Sequence, residues 1–300
     1  SLHDALPIFH INKWDNGEFK GDAISTTSEL VKISSDGNLG LEEGQKFERG
    51  GIYRFTVDVT KGNTKAVLTV EKVGKVDLPA PDIFFGNDKM EVTDTDIYKS
   101  DQAFTQGQMI TVTGIDNLNE WWIDPDFFEK QSDGALKFLP INGDYRVTAN
   151  AVLKYFSVMA LKDGKPAKLQ DDGTGAIWAI GKGIGKPSVM SSEVGWEPSK
   201  ALCLAQVASK KYQLTLKAGE TLKTSGDPEV ISFKFFHQND WGGEFGNYAS
   251  SILVEQLKLA DSGNLEMQDN KAFEEGAVYR FTIDVTNGNA NADLKVEKIN

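Results

Sequence analysis

The chain has 300 residues, 40% of them hydrophobic, and carries 32 Lys and Arg against 44 Asp and Glu for a net charge of −12. That balance repels nucleic acid and anionic membrane and argues against duplex or RNA binding. No run reaches the roughly 18 apolar residues of a membrane helix, and the length exceeds the roughly 250 residues at which a single core stops growing, so more than one domain is expected.

The first eight residues, Ser1-Leu-His-Asp-Ala-Leu-Pro-Ile8, resemble the in-frame translation of a sequencing adapter and are set apart from fold reasoning. On that reading the native chain enters at about Phe9, in mid-domain, and any signal sequence or lipid-anchor cysteine lies upstream. His3 then drops out, leaving His10 and His237.

From Phe9 to Val73 the sequence repeats at 236–299. Beyond the first loop, which is one residue shorter in the second copy, the offset is 226 residues (245 less 19): Phe19 matches Phe245, Phe47-Glu48 matches Phe273-Glu274, and Tyr53-Arg-Phe-Thr56 matches Tyr279-Arg-Phe-Thr282. A constant offset through strands and turns means one fold used twice. In both copies Tyr, Phe and Val or Ile alternate with Arg, Thr and Asp, the pattern of a half-buried strand. Lys61-Gly62 and Asn287-Gly288 fall where a tight hairpin turn belongs, which predicts an antiparallel meander. Residues 9–75 are read as the C-terminal half of a β-sandwich module.

Val76 to Pro81 reads as a linker. Residues 82–165 then offer short strand candidates at Gln108–Gly114, Ala135–Leu139, Asp144–Ala149 and Leu153–Ala160, the spacing of an intervening sandwich. Between them, Asn119-Glu-Trp-Trp-Ile-Asp-Pro-Asp-Phe-Phe128 concentrates aromatics and carboxylates. Residues 171–300 are read as a complete second module. It opens with the apolar Ala176-Ile-Trp-Ala-Ile180 and continues through Gly195-Trp-Glu-Pro198, Ala201–Val207 and Lys211–Leu216.

The stretch that organises the chain is Ile231–Phe245. Ile231, Phe233 and Phe235 alternate with Ser232 and Lys234 as a strand with one face in a core. The chain then breaks into His237-Gln-Asn-Asp-Trp-Gly-Gly243, amide and polar groups around one tryptophan. The first copy holds the same element as Phe9-His-Ile-Asn-Lys-Trp14-Asp-Asn-Gly-Glu-Phe19. No convincing amphipathic helix is present, and the fold class expected is all-β, tandem antiparallel β-sandwich domains of immunoglobulin-like or carbohydrate-binding-module-like type.

The order of Ala176-Ile-Trp-Ala-Ile-Gly181, Gly195-Trp196, Tyr212-Gln-Leu-Thr-Leu216 and Phe233-Lys-Phe-Phe236 before Trp241 resembles the SusE/SusF-like outer-membrane lipoproteins. These are surface glycan-binding proteins of Sus-type polysaccharide uptake systems, with an N-terminal immunoglobulin-like domain and tandem sandwich modules. The resemblance covers 171–300 best and 9–73 by repetition. It implies non-catalytic binding of a polysaccharide or oligosaccharide at the cell surface, display through a lipid anchor that these residues do not contain, and a neighbouring outer-membrane transporter complex as partner. Carried residue by residue, it points to Trp196 and Trp241 as ring platforms, with Lys186, Asn239 and Asp240 as polar groups near them. The His-Gln-Asn-Asp-Trp loop departs from the starch-binding members.

The physical reason is independent of the family. A pyranose presents C–H groups on one face and hydroxyls at its edge, so an indole beside amide and charged groups meets both.

Other readings stay open. Trp14 and Trp241 can instead plug a sandwich end, and Trp178 lies in an apolar strand and reads as core. Trp121 and Trp122 are adjacent and point oppositely if extended, so at most one is exposed; with Trp14 they are secondary candidates. Neither His10 nor His237 has a cysteine or histidine cluster beside it, so no metal and no cofactor are expected. Gly181-Lys-Gly-Ile-Gly-Lys186 lacks phosphate-loop spacing and a following helix, and reads as a flexible strand connection. Cys203, the one cysteine, has no internal partner and reads as a small buried apolar residue. The rival functions are a structural spacer or adhesion protein binding another protein and, behind it, a carbohydrate-active hydrolase, which needs two carboxylates at a catalytic separation.

A sandwich cut through its sheets leaves an open edge and an uncovered apolar face. An isolated fragment from Phe9 to Gly74 is therefore expected to be digested readily in limited proteolysis; resistance would contradict the half-module reading.

Overall fold

The structure is a computed structural model that describes residues 19, 22–35, 37–43, 45–77, 79–224, 230–245, 249–252 (backbone) and 255–300. It divides into two compact units, residues 1–80 and 81–300. Strands dominate both. The helical turns among the described residues are short: Val189–Ser192 and three-residue 3-10 turns such as Leu118–Glu120 and Pro198–Lys200.

In the first unit, Gly51–Asp58 pairs antiparallel with Ala66–Lys75, and Val31–Ile33 forms a hairpin with Leu39–Leu41. Phe19, Ile24, Val31, Leu39, Ala66 and Leu68 are its buried apolar residues.

The second unit holds two sandwiches. In the intervening one, Ile97–Phe104, Gly143–Asn150 and Tyr155–Lys162 form the centre of a five-stranded sheet. Phe85, Phe104, Phe128, Phe138 and Phe156 pack ring to ring beneath it at centroid separations of 4.9–6.1 Å. The stretch Gln108–Gly114 divides: Met109–Ile110 pairs with Leu136–Phe138, while Val112–Thr113 pairs with Phe84–Phe85.

In the C-terminal sandwich, one sheet runs Glu193–Gly195, Trp178–Gly185, Ser232–Phe236, Leu265–Met267, Leu257–Leu259, with Leu202–Cys203 also on Trp178–Gly185. The other runs Ala205–Ala208, Lys211–Lys217, Val278–Asp284, Asp293–Lys298, Ala249–Ile252. Phe233 of the first sheet meets Phe281 of the second edge-on at 5.5 Å. The two sandwiches share one continuous apolar cluster from Ile83 to Val296.

The glycines of 181–185 lie inside the central strand Trp178–Gly185 rather than in a connection. Gly181 sits at φ +142°, and a Cβ there would lie 2.3 Å from Phe233 Cα; one on Gly185 would lie 2.4 Å from the Ser192 carbonyl oxygen. Absent side chains let neighbouring strands close on both sides.

The repeat is reproduced in geometry. Val31 pairs with Leu41 as Leu257 pairs with Met267. Phe47 meets Tyr53 at 4.7 Å and 74°, Phe273 meets Tyr279 at 4.6 Å and 72°. Glu48 binds Lys72 as Glu274 binds Lys298. The expected meander is corrected in two respects. In both copies the return strand also carries a parallel neighbour, Ile24–Thr26 on Ala66–Leu68 and Ala249–Ile252 on Asp293–Val296. The connection at Gly62 is a longer loop between Asp58 and Ala66, in which the Asp58 carboxylate accepts the Thr60 N–H.

Phe273 is 3% exposed, whereas Phe47 is half-buried. Phe273→Ala should cost about 3–5 kcal/mol, the range for emptying a buried phenylalanine site, and Phe47→Ala distinctly less in its own unit. Urea unfolding of the two variants checks this.

Candidate functional site

The strand Ser232–Phe236 points Phe233 and Phe235 into the core, both fully buried, and then releases the chain at His237. Gly242 and Gly243, at φ +83° and +71°, turn the loop back. It is closed by the His237 N–H donating to the Gly243 carbonyl at 2.8 Å, the Phe245 N–H to the Phe235 carbonyl at 3.1 Å, and Gln238 Nε2 to the Trp241 carbonyl at 2.6 Å. The Trp241 N–H donates to Asp240 Oδ1 at 2.8 Å, so the residue before the tryptophan fixes its backbone.

Trp196 comes from the other side of the same sheet. Its neighbour Gly195 pairs with Gly181 across the strand Trp178–Gly185, and the 3-10 turn Pro198–Lys200 then carries the chain away. The two indoles meet. Their centroids are 6.3 Å apart with planes inclined by 27°, and they remain 36% and 49% exposed. Phe236, fully buried, braces Trp241 edge-on at 6.0 Å and 74°. Near-parallel and partly exposed, with Phe236 behind Trp241, the two indoles together present an aromatic surface to solvent. Asn239 is half-buried and Asp240 exposed in the same loop.

His237 does not reach this surface. It packs edge-on against Phe245 at 4.2 Å, and Nε2 is buried without a hydrogen-bond partner. Burial holds its imidazole below the ordinary range. Among the described residues no group of three or more His, Cys, Asp or Glu is arranged to hold a metal ion.

Lys186, expected beside the tryptophans, is placed elsewhere. It is 9% exposed, and its ammonium donates to Asp124 Oδ1 and Oδ2, both at 2.8 Å, and to Asp126 Oδ2 at 3.0 Å. With its three N–H donors taken, it has none to offer a sugar on the platform. Asp126 also accepts from the Thr215 N–H and Oγ1, each at 2.6 Å, and from Gln213 Nε2 at 2.7 Å. Burial pushes the Asp126 carboxyl up, but Lys186 and the Thr215 and Gln213 donors outweigh it and hold it below the usual carboxylate range. Asp124, with fewer donors and Asp126 beside it, is pushed up by burial. Burial also works against the Lys186 charge, yet the two carboxylates raise its pKa.

Of the secondary candidates, Trp121 is 8% exposed and stacks on Phe156 at 4.6 Å and 20°, so it belongs to the core. Trp122 points the other way, half-buried, with Nε1 donating to Glu220 Oε1 at 2.8 Å. Trp14 and His10 lie outside the described residues. Trp178 is core, and Cys203 is buried, its thiol pushed up to about 12 by burial.

Two participants carried no sequence signal as such. Phe236 breaks the alternation of its strand, which hints at a second role, and Gln238 looks like any loop amide.

The family model described as a domain of unknown function, DUF5121, matches residues 4–60 and 172–286, and that of another domain of unknown function, DUF5125, matches 76–169. No curated protein matches the chain. Among solved structures, the crystal structure of SusF from Bacteroides thetaiotaomicron is similar at 15% identity and a TM-score of 0.27, over 90% of this chain and 65% of that one.

Lys186→Met leaves two buried carboxylates without a counter-charge and should destabilise the second unit by about 3–5 kcal/mol at neutral pH. In the variant the carboxyls titrate above their unfolded values, so stability returns as pH falls. In the wild type the Asp126 carboxyl is held below its ordinary value, so its contribution persists until the pH falls below about 4; the gap should therefore narrow towards about pH 4 as the variant recovers. Urea midpoints across pH measure both effects.

Proposed function

The chain belongs to the family of the domain of unknown function DUF5121, whose description assigns no activity, so the reading rests on the site: we propose that the protein binds polysaccharide at a cell surface without turning it over. The observation that carries this is the pair Trp196 and Trp241, two exposed, near-parallel indoles in one place. A protein whose tryptophans serve only as packing gains nothing from leaving two of them wet and adjacent, whereas a sugar chain needs such a surface. Asn239 and Asp240 supply hydrogen-bonding groups at its edge. The Asn239 side chain has no hydrogen-bond partner among the described residues, and Asp240 keeps its second carboxylate oxygen free of them.

The motif resemblance to SusE/SusF-like proteins supports display on an outer membrane and delivery of glycan to a neighbouring transporter. One close carboxylate pair, Asp124 and Asp126, is spent on Lys186 and is not available as a catalytic acid and base.

Affinity electrophoresis of the full chain through gels containing neutral glucan, mannan, xylan or galactan tests the reading. At least one should retard the wild type, and Trp196→Ala and Trp241→Ala should each weaken that retention by about tenfold or more. Mobility unchanged in every gel would favour the spacer reading.

A further inference from the structure

A cleft of about 580 Å³, inside the roughly 300–1,000 Å³ range of small-ligand sites, lies within the second unit, between the strand Tyr155–Lys162 and the segment Val189–Cys203. We propose that it is a second sugar subsite, continuous with the tryptophan platform, and that it selects uncharged chains. The inference rests on the platform reading and extends it.

The two places lie close along the chain. Ser199 and Lys200 line the cleft, and Ser199 is three residues from Trp196, no more than about 11 Å of extended backbone. A glycan lying on Trp196 therefore needs little added length to reach the cleft.

The lining matches sugar chemistry. Trp122 and Tyr155 offer aromatic surface, each half-buried. Ser157 and Ser199 offer exposed hydroxyls. On the wall, Ser191 Oγ lies 3.2 Å from Ser192 Oγ and, behind it, 2.9 Å from Ser188 Oγ. A hydroxyl network can donate or accept as a sugar hydroxyl requires.

Selection for neutral chains follows from the charges, because each one lining the cleft is already paired within the protein. Lys186 is held by Asp124 and Asp126, Glu193 by Lys223 at 2.9 Å, and Lys200 by Glu197 at 3.0 Å. A uronate or sulfated sugar would have to compete with these partners, most strongly at the buried Lys186 and least at the exposed Lys200, in a chain whose net charge of −12 already opposes it.

The rim provides a reporter. Met190, on the short helical turn Val189–Ser192, lines the cleft and is 92% exposed, so its oxidation by hydroxyl radicals reads occupancy directly. Oxidative footprinting of the full chain would use the trisaccharides and heptasaccharides of neutral glucan, mannan, xylan and galactan, each at saturation, with heptagalacturonate as the charged counterpart. The expected result is that the trisaccharide of a binding series protects Trp196 and Trp241 alone, while its heptasaccharide also protects Met190 and Tyr155 and binds about tenfold more tightly. Ser157→Arg, on an exposed position, should bring heptasaccharide affinity down to the trisaccharide value with no change in thermal midpoint. Protection of the tryptophans by heptasaccharides without protection of Met190 and Tyr155 would overturn the cleft and leave the platform standing. Protection at neither place would overturn both. Tighter binding of heptagalacturonate than of every neutral chain would overturn the charge selection.

Discussion

One buried ammonium shared by two carboxylates ties the second unit together. Lys186 stands at the end of the strand Trp178–Gly185 in the C-terminal sandwich, while Asp124 and Asp126 belong to the intervening one. Taking three charges out of water costs several kcal/mol per ion. The cost is tolerable here because each oxygen and each N–H finds a partner, with Thr215 and Gln213 completing the Asp126 shell. Such a cluster adds little net stability over an apolar junction, but it is unforgiving of any other register between the two sandwiches.

That register matters because the same strand places both tryptophans. At one end Trp178 pairs with Phe236, from which the Trp241 loop departs; in its middle Gly181 pairs with Gly195, which delivers Trp196. The glycines admit the two neighbouring strands at close range, and Lys186 fixes the far end. The platform is thus set on a strand buried at every position but Lys182, while the Trp241 loop is closed by its own backbone hydrogen bonds. Little ordering would remain to be done on binding, which favours affinity.

Much of this was legible in the sequence. The constant offset from Phe19 to Phe245 through Tyr53 and Tyr279 announced one fold used twice, because side-chain alternation and turn chemistry recur together, and the repeated Phe–Tyr contacts answer to it. Trp196 after a glycine and Trp241 inside a polar loop could be seen as platform candidates, because neither lies in an apolar alternation. Their meeting could not be read, since it depends on strand pairing between segments far apart in the chain. Lys186 misled for the same reason: a lysine after a glycine run looks solvated until a carboxylate pair from another sandwich is brought onto it. The parallel strand at Ile24–Thr26 and its counterpart at Ala249–Ile252 were equally invisible, because two short strands signal no direction of pairing.

The central claim is that the indoles of Trp196 and Trp241 face solvent in order to receive a sugar chain. Acrylamide quenching of tryptophan fluorescence tests it most directly, since it counts exposed rings without relying on a variant. The account predicts that a neutral polysaccharide at saturation removes the quencher-accessible emission of Trp196 and Trp241. Accessible emission unchanged by every neutral polysaccharide tried would contradict it.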